Sequence, residues 1–159
     1  MRTSAPILYR METAVRAWPA HAQTALARAG YRSSAPRNAV VEALAELGCG
    51  VTAREIADLL QERGRGVGLA SVYRALELLD RLRLVQRFDV GEGVFRYEPA
   101  HPGGEHHHHL VCQTCGIVSA FEDPGLERAI ETLSHRVDYS IDAHDVTLRG
   151  ECPACHSGG

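Results

Sequence analysis

Apolar residues recur every three or four positions in three stretches between residues 34 and 85, which is the period of an amphipathic helix. The first stretch begins with Ser34 and a nearby proline, a combination typical of a helix start, and it ends at a Gly-Cys-Gly segment. The second opens with the capping box Thr52-Ala-Arg-Glu55. The third follows a glycine-rich break and runs from Leu69 to Val85. The pattern therefore predicts three helices joined by short turns.

Two β-prone runs, LVQRFDV (84–90) and VFRYE (94–98), follow the third helix and flank a Gly-Glu-Gly turn. Three helices and such a hairpin predict a winged helix-turn-helix, in which the third helix enters the major groove of DNA. On that helix, the candidate base-contacting side chains lie opposite the leucines. They are Ser71, Tyr73, Arg74 and Glu77. Arg32 and Arg37, at the start of the first helix, are candidates for contacts with phosphates or the minor groove.

The remainder of the chain predicts a second domain of α+β character. The Pro- and Gly-rich stretch 99–105 has no periodicity and is predicted to be a hinge between domains at 1–98 and 106–159. Beyond the hinge, two short strands precede a helix capped by Asp123, and a last strand over 138–150 follows. The alternation of that last strand slips near His144. We assign no role to residues 1–20.

Composition and charge narrow the functional classes. Hydrophobic residues make up 45% of the 159 residues, yet no apolar run approaches the roughly 18 to 20 residues needed to span a bilayer. The N-terminus has neither a long apolar core nor a cleavage site, so we expect a cytoplasmic protein without membrane contact. Residues 1–98 carry 14 Arg and 11 acidic residues, whereas residues 99–159 carry 3 Arg and 9 acidic residues. The more basic half fits a DNA-facing module.

Four of the five cysteines form two CxxC pairs separated by 36 residues, which predicts a tetrahedral four-thiolate zinc site. The pairs are Cys112 with Cys115 and Cys152 with Cys155. An all-cysteine shell leaves no open position for water or substrate, so this Zn²⁺ is expected to be structural. The fifth cysteine, Cys49, is expected to be an inert, partly buried thiol.

Four consecutive histidines, His106 to His109, precede the first CxxC pair. On a strand, successive side chains point to opposite faces, so His107 and His109 share one face while His106 and His108 share the other. One tetrapeptide can therefore contribute to two separate metal sites. Imidazoles combined with oxygen ligands bind Zn²⁺, Fe²⁺, Mn²⁺ or Ni²⁺, and ligand type alone does not choose among these ions.

Taken together, these motifs resemble the ferric uptake regulator superfamily of metal-responsive bacterial repressors. The matching stretches are AGYRSSAPR (29–37), GLASVYRALELLD (68–80), RYE (96–98), HHHHLVCQTCG (106–116) and GECPAC (150–155). The resemblance covers residues from about 20 to 156. It implies a homodimer with N-terminal winged-helix domains and C-terminal α/β dimerisation domains. It also implies metal-dependent binding to palindromic operators in double-stranded DNA.

The resemblance further implies roles for individual residues. The four cysteines of the CxxC pairs match the structural zinc site, and Arg32, Tyr73 and Arg74 match DNA-contacting positions. Ligands of a regulatory site at the hinge are matched by Glu98, His107 and His109. A further site in the dimerisation domain is matched by His106, His108, Glu127 and His144.

Departures from the family pattern bear on which metal is sensed. Iron and peroxide sensors usually carry His where this chain has Gly50, and peroxide sensors carry Asp where it has Ala120. Zinc sensors commonly take a ligand from the wing, where Gln86 and Asp89 are the nearest candidates. We therefore expect a repressor most like the zinc uptake regulator branch, with Zn²⁺ in the regulatory site. An iron-, manganese- or peroxide-responsive regulator is the alternative.

Two other functional classes fit the sequence less well. A zinc enzyme needs an open coordination position and a nearby general base, and neither an HExxH motif nor a deaminase-type HxE motif accompanies the cysteines. A metal chaperone would have no use for a winged-helix half. We expect no catalytic residues and no organic cofactor.

Overall fold

The computed structural model describes residues 7–91, 93–100 and 107–156, and the side chains of residues 7–16 are outside that description. The chain divides into two compact units, Met1–Gly104 and Glu105–Gly159. Most of the predicted hinge lies outside the described residues, so its role stays a prediction.

Helices and a two-stranded wing form the first unit, in the order expected for a winged helix-turn-helix. Ser34 accepts a hydrogen bond from the backbone N–H of Arg37, and Thr52 and Glu55 cap each other's backbone N–H groups reciprocally, as predicted. The elements are α1 (Ile7–Arg28), α2 (Ala35–Leu47), α3 (Ala53–Glu62), α4 (Leu69–Arg81), β1 (Val85–Asp89) and β2 (Phe95–Pro99).

Helix α1 is an addition that the sequence analysis did not predict. Trp18, Ala22 and Leu26 are four residues apart, and all three are buried in the core of the first unit. The indole Nε1 of Trp18 donates a hydrogen bond of 2.9 Å to the carbonyl oxygen of Leu84. This spacing was the available signal, and Pro19 within the helix obscured it.

The core of the first unit lies between α2, α3 and α4. Val40, Leu44, Ile56, Leu76 and Leu79 are completely buried there. Each such side chain contributes about 1.5–3 kcal/mol of transfer free energy relative to an exposed one. The apolar residues whose spacing predicted the three helices are therefore the ones that pack these helices together.

The wing is an antiparallel pair in which Val85 lies opposite Pro99. Its turn contains Gly91 and Gly93 at φ of 112° and 74°, a region that residues with a Cβ rarely occupy. Tyr97 joins the core, and its backbone forms an isolated bridge with Val51 just before α3. The predicted hairpin is confirmed.

The second unit contains a three-stranded sheet of order β4-β3-β5 and one long helix. The central strand β3 pairs antiparallel with β4 and parallel with β5. The elements are β3 (His108–Cys112), β4 (Val118–Phe121), α5 (Pro124–Val137), β5 (Thr147–Gly150) and α6 (Pro153–His156). Asp123 caps α5 by accepting from the backbone N–H of Leu126, at 2.8 Å.

The last strand is shorter than predicted, because β5 begins at Thr147 and residues 138–146 precede its ladder with β3. Asp138 adopts a left-handed conformation, with φ of 54°, and ends α5. The neighbouring strand β3 begins at His108, and the backbone N–H of His109 donates to the carbonyl oxygen of Val146. The strand ladder begins at the next residue, Thr147, three residues after the slip in the pattern at His144.

None of the residues of α5 is buried. Its apolar stripe was predicted from the spacing of Leu126, Ile130, Leu133 and Val137. Leu133 and Val137 remain 48% and 50% exposed. The amphipathic helix forms as expected, but its apolar side is only partly covered within the described chain, at Leu126 and Ile130.

Candidate metal centres

The four CxxC cysteines converge at one end of the sheet in the second unit. Cys112 ends β3, opposite Gly150 of β5, and Cys152 follows two residues later. The four sulfur atoms lie within 4.8 Å of one another, and the Sγ atoms of Cys115 and Cys152 are 3.8 Å apart. A tetrahedral zinc with Zn–S bonds of about 2.3 Å requires sulfur atoms about 3.8 Å apart. The geometry of the cluster therefore fits the ion that the sequence predicts.

Backbone N–H groups are aimed at one of these sulfurs. Those of Cys115 and Cys152 donate to Sγ of Cys112, at 3.5 and 3.3 Å. These bonds lower the pKa of the Cys112 thiol to about 6. Hydrogen bonds with the Cys152 and Cys115 side chains raise the pKa of Cys155 to about 12. Loading the cluster with metal therefore requires displacing thiol protons, so metal affinity should fall as pH falls.

The histidine run divides between two faces, as the strand periodicity predicts. The rings of His107 and His109 are in edge-to-face contact with centroids 5.0 Å apart. The ring of His108 instead lies 5.4 Å from the rings of both Phe121 and His144. His107, His108 and His109 are all buried, which is unusual for histidine unless its nitrogens are used. His106 lies outside the described residues.

On the His108 face, one carboxylate is shared by two imidazoles. Nε2 of His108 and Nε2 of His144 lie 2.8 and 3.0 Å from the two carboxylate oxygens of Glu127. The three ligand atoms fall within 4.8 Å of one another. Two nitrogens and a carboxylate are a donor set suited to Zn²⁺, Fe²⁺ or Mn²⁺. The structure thus brings together the described members of the predicted further site.

In the first unit, Glu98 lies beside Cys49. The Cys49 thiol donates a hydrogen bond to Oε2 of Glu98 at 2.8 Å, and Glu98 is only 2% exposed. Burial, together with the negative charge of Glu98, holds the pKa of the Cys49 thiol far above its usual range. A thiol with a raised pKa forms little thiolate, so it reacts slowly with electrophiles, as expected of the inert thiol that the sequence predicts. The contact itself was missed, since 48 residues separate the two in sequence and no local motif links them.

The two candidate wing ligands differ in their position relative to Glu98. Gln86 lies directly opposite Glu98 in the β1–β2 register, so their side chains share one face of the wing. Asp89 is three residues from Gln86, so its side chain points to the other face. Its Oδ1 accepts a hydrogen bond from the backbone N–H of Gly91 at 2.7 Å, within the wing turn. The register therefore favours Gln86.

The predicted DNA-contacting residues lie on the surface of the first unit. Tyr73 and Arg74 are exposed on α4, and Arg74 Nη2 donates to the hydroxyl of Ser71 at 2.9 Å. Near the start of α2, the guanidinium of Arg37 stacks over the ring of Tyr31 and donates to the carbonyl oxygen of Arg32. No described helix is both long and apolar enough to cross a bilayer.

Comparisons with known proteins agree with the fold and the motifs. A model of the ferric uptake regulator family matches residues 28–149. The chain is 38% identical over 107 residues to the ferric uptake regulation protein of Bacillus subtilis, covering 67% of this chain and 72% of the relative. It is 35% identical over 130 residues to the protein of that name from Legionella pneumophila, covering 80% and 93%.

A solved structure is similar over nearly its whole length. The Vibrio cholerae ferric uptake regulator superposes with a TM-score of 0.75 at 31% identity, over 81% of this chain and 98% of that one. The resemblance inferred from the sequence motifs is confirmed. The chain belongs to the ferric uptake regulator family of metal-responsive transcriptional regulators.

Proposed function

We propose that this protein is a cytoplasmic, zinc-sensing repressor that binds palindromic operators in double-stranded DNA as a homodimer. The observation that carries the proposal is the distribution of buried metal-ligand side chains. Glu98 is buried on the wing of the first unit, and His107 and His109 share one face in the second. Buried carboxylate and imidazole groups are costly unless they are paired or bind an ion.

In the proposed switch, Glu98, His107 and His109 hold one divalent ion, with Gln86 as the favoured wing ligand and Asp89 as the other candidate. Because its ligands come from both units, the bound ion restrains the angle between the DNA-binding unit and the dimerisation unit. That angle sets the distance between the two recognition helices of a dimer, which must match the spacing of the operator half-sites. Metal affinity and operator affinity are then reciprocally linked.

The remaining predicted residues take supporting roles in this proposal. The four-cysteine cluster holds a structural Zn²⁺, and His106, His108, Glu127 and His144 form a further site in the dimerisation domain. Ser71, Tyr73 and Arg74 contact base edges, while Arg32 and Arg37 contact phosphates. The exposed apolar side of α5, with Leu133 and Val137, contributes to the surface that a second copy covers.

Zinc is the first candidate for the sensed ion because Gly50 and Ala120 lack the side chains typical of iron and peroxide sensors. Iron is the second candidate. It is favoured by the names of the relatives from Bacillus subtilis and Legionella pneumophila, both called ferric uptake regulation proteins.

The test is operator binding against buffered free Zn²⁺, Fe²⁺ and Mn²⁺. The operator is a palindromic duplex selected from a random DNA library with all three ions present. Zinc should raise affinity at least tenfold, and at lower free concentration than iron or manganese. Metal analysis checks that each protomer retains its structural zinc throughout. Equal affinity with every ion removed from the regulatory site would rule out the switch, and a response to iron alone would transfer the assignment to the second candidate.

A matched pair of variants assigns the response to the proposed ligands. Replacing His107 and His109 by Ala should abolish the metal response and leave the four-cysteine zinc bound. Replacing His135 and His156, which are exposed histidines of the same unit, should change neither. If the two double variants behave alike, these ligands are not the sensor.

A further inference from the structure

Cys49 stands apart from the other four cysteines, in the segment between α2 and α3 of the first unit. Its side chain is partly buried, and Sγ lies 2.8 Å from Oε2 of Glu98. Glu98 is itself almost fully buried on β2. A thiol and a carboxylate at this distance share one proton between two potential anions. A metal ion bound between them would replace that proton, which leaves for solvent.

The position of Cys49 is fixed from the wing. Nη1 of Arg96 donates to the carbonyl oxygen of Gly50 at 2.6 Å, and the same guanidinium nitrogen lies 3.7 Å from Oε2 of Glu55. Arg96 and Glu98 are two residues apart on β2, so both side chains project from one face of that strand. The strand that presents the carboxylate therefore also anchors the segment that presents the thiol.

Charge and softness indicate what this pair would bind. A thiolate and a carboxylate together carry two negative charges and neutralise one divalent cation, which favours a site removed from water. Thiolate ligands favour Zn²⁺, whereas sites built from carboxylate, carbonyl and water suit Mn²⁺. A sulfur donor in the site would thus change its selectivity as well as its affinity.

We infer that Cys49 is a ligand of the regulatory ion, bound through Sγ to the same ion as Glu98, and that it biases the site toward zinc over manganese. This inference rests on the proposed metal switch and adds its sulfur donor. It assigns Cys49 a role beyond that of the inert thiol expected from the sequence.

Cobalt(II) provides a direct readout, because a thiolate bound to Co²⁺ gives a charge-transfer absorption band that imidazole and carboxylate ligands lack. Full-length dimer with its structural zinc retained is titrated with Co²⁺, and zinc analysis confirms that the four-cysteine cluster is not exchanged. Wild type should show the band as the second ion binds. Cys49→Ser should bind Co²⁺ without it. Absence of the band in wild type that still binds Co²⁺ at Glu98 and the histidines would overturn the inference.

Selectivity is measured on the same variants. Cys49→Ser should weaken zinc binding at the regulatory site by at least about tenfold and manganese binding by clearly less. Ser34→Ala is the matched control, because it removes a helix cap of the same unit at the end of α2 far from Cys49. It should keep both the band and the selectivity. Equal losses for zinc and manganese in Cys49→Ser would overturn the selectivity claim, and circular dichroism checks that each variant is folded.

The outcomes separate this inference from the proposed function. Metal-dependent operator binding without a sulfur band leaves the switch standing and removes Cys49 from it. A sulfur band in a protein whose operator affinity ignores metal establishes the ligand and rejects the switch.

Discussion

In the first unit the buried side chains form a hydrocarbon core of more than twenty residues, from Trp18 to Tyr97. In the second unit, the buried residues among those described are three histidines with Val111 and Cys112. The first unit is thus organised by removing apolar surface from water, and the second by groups that could hold ions. A unit of about 55 residues buries little apolar surface, so the proposed metal ions and second copy would supply stability that its core lacks.

The largest expected effect is loss of the proposed structural zinc. Cys112→Ser removes the sulfur that receives two backbone N–H groups, and structural zinc sites contribute about 10 kcal/mol or more of folding free energy. We expect the second unit to lose its dispersed amide resonances in NMR while the first keeps its own. Metal analysis should show zinc loss, and Cys49→Ser should retain that zinc. If the second unit stays folded without zinc, the proposed difference between the two units is wrong.

A Leu-to-Ala substitution should have different consequences in the two units. Leu76→Ala opens a cavity in the apolar core and should lower the unfolding free energy of the first unit by about 2–5 kcal/mol. Trp18 is the chain's single tryptophan and lies in that core, so its fluorescence during urea unfolding reports on the first unit.

Leu133→Ala is the counterpart in the second unit, where the side chain is about half exposed. It should leave the Trp18 transition within about 0.5 kcal/mol of wild type and weaken dimerisation, measured by sedimentation. If Leu133→Ala lowered the Trp18 transition as much as Leu76→Ala does, the division of roles between the units would be wrong.

Removal of the α3 cap should have a smaller effect. Thr52→Ala removes the hydroxyl that accepts from the backbone N–H of Glu55, which should cost the first unit about 0.5–2 kcal/mol in the same urea experiment. Thr132→Ala in α5 is the control. Its hydroxyl donates to the carbonyl oxygen of Arg128 within a helix, where a Thr-to-Ala change is close to neutral or favourable.

The smallest effect on stability is expected on the exposed face of α4. Tyr73→Ala should change the unfolding free energy by less than about 0.5 kcal/mol, because the side chain is exposed. It should nevertheless weaken operator binding by about 1–3 kcal/mol, measured by fluorescence anisotropy of a labelled duplex. Unchanged operator affinity would remove Tyr73 from the proposed DNA interface.

The contrast between the units also explains which features the sequence predicted. Helices α2 and α3 were predicted because Val40, Leu44 and the Thr52–Glu55 box lie within one or two turns of the chain. The sequence patterns of α4 and the wing are equally local. The four-cysteine cluster and the two-faced histidine run were predictable for the same reason, since spacing and strand periodicity are local. Helix α1 was missed although Trp18, Ala22 and Leu26 show the period, because Pro19 interrupts it.

Two other features depend on contacts between residues distant in sequence, so the local sequence pattern could not predict them. The last strand starts only at Thr147, where its ladder with His109 of β3 begins, 38 residues away in sequence. The contact between Cys49 and Glu98 arises from the packing of the α2–α3 segment against the wing, which no spacing rule encodes.

Strand β2 carries Tyr97 in the apolar core and Glu98, one peptide bond later, on the opposite face. A shift of a few tenths of an ångström in the packing around Tyr97 must displace the carboxylate by a similar amount, because interiors are close-packed and transmit strain. In the proposed switch, the metal concentration at which the protein responds would thus be adjustable by conservative substitutions of core residues that bind no ion. Related proteins with the same ligands can therefore differ in their response threshold.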